Sequence, residues 1–332
     1  SSHSSNCSTA CLEKIVIPDS ISLIEICTFY ECASLKSITI SNKVKEIHEF
    51  AFADCTSLTE IEIPSNVKCI DECVFKNCEK LKKIEMDIYQ TKIKSNTFDN
   101  CPSLEQLDIK TTSKKIIHEK NDLIQKIKRI TIPNGIEIIE SNAFCDNILL
   151  EEITIPQSVH SIGSNVFKGC TSLIEIVLPQ SVTAIKEFSF WGCSSLKKVE
   201  ISSNAKYIRE CAFKDCLNLS TIAMNPYQTK VDVDSFQNCP SLEHLIIKTN
   251  SQKIFSDKNS IIQKMRVITI LPGVKMIYPN AFNDLTYLTQ ITIPSSVTSI
   301  GNAVFQGCSS LIRIEIPDSV LSIGDFVFDG CK

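Results

Sequence analysis

The sequence predicts an elongated solenoid, and three observations carry that expectation. A unit of 23 residues returns fourteen times without an insertion, its first position running from Leu12, Leu35 and Leu58 to Leu288 and Leu311. Its apolar positions recur at the same places in nearly every copy, so each copy has one apolar side. A single copy cannot bury that side alone and must stack on its neighbours. Phe and Cys also return once per copy, which stacking would turn into continuous columns. The repeat overrides the two or more globular domains that a length of 332 residues would otherwise suggest.

The copy Leu288–Ser310 shows how one coil should form. Ile291 and Ile293 alternate with Thr292, the period of a half-buried strand. Pro294 ends the strand because it cannot donate to a ladder. Val297 and Ile300, three apart, line the next side, and Gly301 is expected to permit the corner. Phe305 should fill the centre and Cys308 pack beside it before Leu311 opens the next coil. The Phe series from Phe29 to Phe328 is read as core. The chain has 17 cysteines, a number that in a small secreted protein would mean disulfides. Most recur at one position per coil, at a strand spacing of ~4.8 Å, and so read as a column of buried thiols. Cys27 with Cys32, Cys73 with Cys78 and Cys211 with Cys216 leave a bridge within a coil open, and so the redox compartment.

The stretch Leu288-Thr289-Gln290-Ile291-Thr292-Ile293-Pro294-Ser295-Ser296-Val297-Thr298-Ser299-Ile300, with the Ala-Phe pair and the Cys of other copies, resembles the BspA-like leucine-rich repeat family. The resemblance covers residues 12–332. It implies a leucine-rich repeat solenoid: a right-handed arc with a parallel β-sheet on its concave side and short extended, turn or 3-10 segments on its convex side. It also implies a surface protein of mucosal bacteria or parasitic protists, adhesion to matrix proteins such as fibronectin and fibrinogen, and no shared catalytic residues.

Six copies form a longer period of 138 residues. Tyr89-Gln90-Thr91-Lys92 returns as Tyr227-Gln228-Thr229-Lys230, and Asn100-Cys101-Pro102-Ser103 as Asn238-Cys239-Pro240-Ser241. Residues 1–11 are read as tail or leader, and 12–332 as one solenoid with higher-order repeats 12–149, 150–287 and a partial 288–332. The last copy stops without a polar cap, so a longer parent chain or a homodimer through uncapped ends is expected.

Departures from the pattern point to function. The copies 104–126 and 242–264 lose the Pro, the Ala-Phe and the Cys. Ile116, Leu123, Ile124 and Ile127 suit a short helix capped by Asn121, and the same is expected from Asn259. Lys114, Lys115 and Lys120 lead a basic group at the first break, with Lys248, Lys253 and Lys258 near the second, which suits sulphated glycans or an acidic partner. Glu62, Glu85 and Asp108 take one outward strand position in adjacent coils, where like charges repel, and Lys82 and Lys83 stand beside them. They are read as a site for a cation or a basic partner, or as a neutralised surface ladder. Val177 and Ile246, with Ala223 and Ile174, form an apolar stretch suited to contact.

Other chemistries find little material. Net charge is −4 and charged residues are 22%, so no global field favours nucleic acid or an anionic membrane. No apolar run reaches a transmembrane length, and the opening residues have no signal-peptide pattern. The five histidines are scattered, Gly is scarce at nine, and no phosphate loop, nucleophile elbow or zinc motif occurs. The expected function is a non-enzymatic module binding a protein ligand, without cofactor or metal, at the cell surface or secreted. The alternative is a cytoplasmic leucine-rich repeat scaffold or regulatory subunit.

Overall fold

The structure is a computed structural model that describes residues 12–117, 122–256 and 260–332. The described residues form two compact bodies, those up to 134 with 152–154, and those of 135–151 with 155–332.

In the first body the strands Glu60–Glu62, Lys83–Met86, Gln106–Ile109, Arg129–Thr131 and Glu152–Thr154 form a parallel sheet in the order of the chain. Every residue pairs with the one 23 later: Ile61 with Ile84, Ile84 with Leu107, Ile130 with Ile153. One slip would turn the Ile/Leu set outward, so the alternation fixes the register. A second parallel ladder follows the turn after each strand, through Leu23–Ile24, Glu46–Ile47, Cys69–Ile70 and Lys92–Ile93. The second body repeats this plan with a seven-stranded parallel sheet running from Glu175–Val177 to Arg313–Glu315. Its second ladders are Ala184–Ile185, Tyr207–Ile208 and Lys230–Val231, then Lys253–Ile254 to Ser322–Ile323. Each body is a parallel β-solenoid of the leucine-rich repeat type with almost no helix.

The columns expected from the repeat are the core. Phe29, Phe52, Phe75 and Phe98 stack nearly parallel with ring centres 5.2–5.5 Å apart. Phe144 to Phe236 do the same in the second body. The cysteine column is more than packing. From Cys55 onward each column thiol donates to the Phe carbonyl one coil back: Cys78 Sγ to Phe52 O at 3.3 Å, Cys193 Sγ to Phe167 O at 3.1 Å. These weak donors add a second hydrogen bond to carbonyls that in most coils also accept from the backbone N–H of the Cys three residues on, as Phe167 O does from Cys170 N at 3.1 Å. Burial raises most of these thiols, to about 12 at Cys55, because a thiolate there would be desolvated; the hydrogen bond with Cys216 lowers Cys239 instead.

Where Phe and Cys are missing, helical turns replace their volume. Asp122–Lys126 is an α-helix that buries Leu123 and Ile124, and the 3-10 turn Ile262–Lys264 buries Ile262 beside Ile261. The expected caps Asn121 and Asn259 lie outside the described residues. Gly301 has a different reason from the one its position suggests. A Cβ there would stand 2.6 Å from the Pro279 nitrogen, so close coil packing, rather than a corner conformation, demands glycine. The corners use left-handed non-glycine residues, among them Asp54, Asn77 and Asn100 at φ 50–60°. Their side chains form a ladder: Asn77 Nδ2 donates to Asp54 Oδ1 and Asn100 Nδ2 to Asn77 Oδ1, each at 2.8 Å.

Candidate functional site: the outward strand faces

Alternation along each first-sheet strand sends its odd residues outward, and parallel register aligns them across coils. Glu62 lies beside Glu85, and Glu85 beside Asp108. The three acids expected to form a site are therefore one row, and the lysines near them are partners. Lys83 Nζ lies 2.7 Å from both Glu85 and Asp108. Lys110 Nζ reaches Glu85 at 2.9 Å and Glu62 at 3.4 Å. Lys83 and Lys110 hold the Glu85 carboxyl below its ordinary value. At Asp108 burial pushes upward, but hydrogen bonds from Lys83, Thr131 and Gln106 outweigh it and the carboxyl also sits low. Both lysines are raised in turn, chiefly by Asp108 and Glu85 respectively.

The corresponding face of the second body differs. Counting 138 residues on, Lys83, Glu85 and Asp108 become Thr221, Ala223 and Ile246. Glu200, the counterpart of Glu62, keeps its ion pair with Lys248, the counterpart of Lys110. Val177 is exposed and Ile246 half-buried, but two strands separate them, carrying Glu200 and a buried Ala223. The structure does not bring Val177 and Ile246 into contact. His244 Nε2 lies 2.9 Å from Thr269 Oγ1, and burial, with Lys198, keeps this imidazole below its ordinary pKa.

Lys114 and Lys115 sit on the second face of the first body, exposed, and both interact with other groups of the chain. Lys120 lies outside the described residues. The partners that sequence reasoning missed are Lys110, two coils from Glu62, and the Asp/Asn corner ladder. The signal for the latter was the recurrence of Asp, Asn or Gly one residue before the Cys position.

A model of the BspA type leucine rich repeat region matches in 6 copies, over residues 3–121, 122–243 and 229–332. The chain belongs to the BspA-type leucine-rich repeat family. This BspA-type chain is similar in structure to a leucine-rich repeat protein from Bacteroides ovatus, with 26% identity over 96% of this chain and 76% of that one, at a TM-score of 0.38. It is also similar to a leucine rich cell surface protein from Faecalibacterium prausnitzii, with 25% identity over 76% and 82% of the two chains, again at 0.38. Among curated proteins nothing matches the chain. BspA-type repeats are generally non-enzymatic and serve protein interaction. Among the described residues no helix is long and apolar enough to cross a membrane.

Proposed function

We propose that this BspA-type chain is a cell-surface or secreted adhesion module that binds a protein ligand on its first-sheet face. One observation carries this reading. Across the 138-residue duplication the inward residues hold, Ile84 as Ile222 and Leu107 as Leu245, while the outward Glu85 and Asp108 become Ala223 and Ile246. A scaffold fixed by stacking, with its outward positions free to differ, is how repeat proteins build recognition surfaces. The surface placement and the matrix-protein class of ligand rest on the family resemblance. The test is binding of the purified chain to immobilised fibronectin and fibrinogen, with E62K/D108K and V177E as variants. Saturable binding that one variant weakens at least tenfold supports adhesion and selects the face. Silence on both ligands, with one discrete partner from the source cell's cytosol, would replace it with the intracellular scaffold, a reading that the reduced, carbonyl-bound thiol ladder favours.

A further inference from the structure

We propose that the second face of the second body is a binding groove for an acidic polysaccharide. An open groove of about 800 Å³ crosses the coils at Ala184–Ile185, Tyr207–Ile208 and Lys230–Val231. It is lined by Gln180, Asn204, Lys206, Tyr207, Gln228 and Lys230, with small hydroxyl residues between them and no carboxylate. Tyr207 and Lys230 are in direct register, and the Arg209 guanidinium lies 4.3 Å from the Tyr207 ring centre. Lys253 and Lys275 of the next two coils are exposed as well, on the ladder that begins at Lys253–Ile254.

Among the described residues the groove lysines have no ion pair, as Lys197 and Lys198 of the first sheet have none, while Arg209 beside the groove pairs with Asp232 at 3.9 Å. On the first sheet of the same body Lys248 is held by Glu200 and Arg266 faces Glu243. The duplication points to this face. While the first-sheet face changed, Asn66, Lys68, Gln90, Lys92 and Lys115 return as Asn204, Lys206, Gln228, Lys230 and Lys253. Asn204 has a structural duty, since its Nδ2 donates to Gln180 O at 3.2 Å, and in the first copy Lys68 Nζ donates to Gln90 Oε1 at 3.4 Å; the return of Lys92 as Lys230 has no such explanation.

The lining selects the ligand class. Amides both donate and accept, matching sugar hydroxyls along a chain. Lysines supply point charges for carboxylate or sulfate groups at intervals. Tyr207 offers a ring beside them.

The experiment is calorimetric titration of the full chain with a heparin decasaccharide and with its desulfated, carboxyl-reduced counterpart, at 50 and 150 mM salt. We expect saturable binding of the charged sugar only. K206E/K230E should weaken it at least tenfold and Y207A at least threefold, while K197E/K198E, an equal charge change on the first sheet, should leave it within twofold. Circular dichroism confirms that each variant is folded. Absent binding at 50 mM salt overturns the proposal. So does equal loss in K197E/K198E, which would mean diffuse charge attraction, or equally tight binding of poly-glutamate, which would mean an acidic peptide partner.

Discussion

Replacing Lys83 with Met tests whether the acid row of the first body is held by internal cations. Lys83 Nζ contacts Glu85 and Asp108 at 2.7 Å, and all three side chains are 21–28% exposed. Hydrogen bonds to charged groups contribute ~1.5–3 kcal/mol; discounted toward the value of exposed pairs, each contact is worth about 1 kcal/mol. Removal also leaves two carboxylates on adjacent strands, repelling by about 1 kcal/mol at ~5 Å and an effective dielectric near 60. Lys110 still reaches Glu85, so the total loss at pH 7 should be about 2–3 kcal/mol. The pH dependence carries the sharper test. In the native chain both carboxyls sit below their ordinary 4.5 and 3.8. Their contribution is therefore present above about pH 4.5 and is lost as pH falls through the folded values. In K83M the unrelieved repulsion raises the folded pKa of the pair, so acidification removes a destabilising term. Urea unfolding from pH 7 to pH 3 should show the gap between native chain and variant closing to under ~1 kcal/mol. A gap that is flat with pH, or below ~0.5 kcal/mol at pH 7, would show that the row is not held in this way.

Phe167 is fully buried, with Phe144 and Phe190 at 5.7 and 5.3 Å. Phe167→Ala should cost ~3–5 kcal/mol by urea unfolding, and Phe167→Leu under ~1.5; a loss below 1 kcal/mol for the alanine would contradict a packed column. Asp71 accepts from Lys94 at 2.7 Å and meets His48 Nδ1 at 2.8 Å, with Lys94 foremost in holding its carboxyl low. D71K should destabilise by about 2 kcal/mol, and D71K/K94D should recover about half, because the swap restores the pair but not the His48 contact. Strict additivity in this double-mutant cycle would show that the pair carries no coupling.

The stacking direction was legible because it has one period. Leu58, Ile61, Ile63, Val67, Ile70, Phe75 and Cys78 lie at repeat positions, and all are at most 2% exposed. The helical turns were legible as well, since Leu123 and Ile124 stand where Phe and Cys are lost. The site was half legible. Reading one repeat position down the chain finds Glu62, Glu85 and Asp108 as neighbours. It cannot find Lys110, which sits at another repeat position two coils on and reaches back by the length of a lysine side chain. Nor does it show that Val177 and Ile246 are parted by Glu200 and a buried Ala223. Side-chain reach across strands is a property of the folded face rather than of the period.

That reach also explains how the two copies differ. Asp71 and Lys94 are an ion pair in the first copy, and their counterparts 138 residues on are Arg209 and Asp232, a pair of opposite sense at 3.9 Å. Glu62 with Lys110 is kept as Glu200 with Lys248. Lys83, Glu85 and Asp108 disappear together into Thr221, Ala223 and Ile246. These charges are kept, inverted or lost together. The reason is spacing: strands ~4.8 Å apart put every outward charge within reach of both neighbours. Loss of one charge leaves its partner to be met by another group, so linked charges such as Lys83, Glu85 and Asp108 change as a block, although Lys36 becomes Ile174 while Glu13 is kept as Glu151. A ligand-binding difference between the copies should map to such a block, and the block from Thr221 to Ile246 is where the first-sheet faces part.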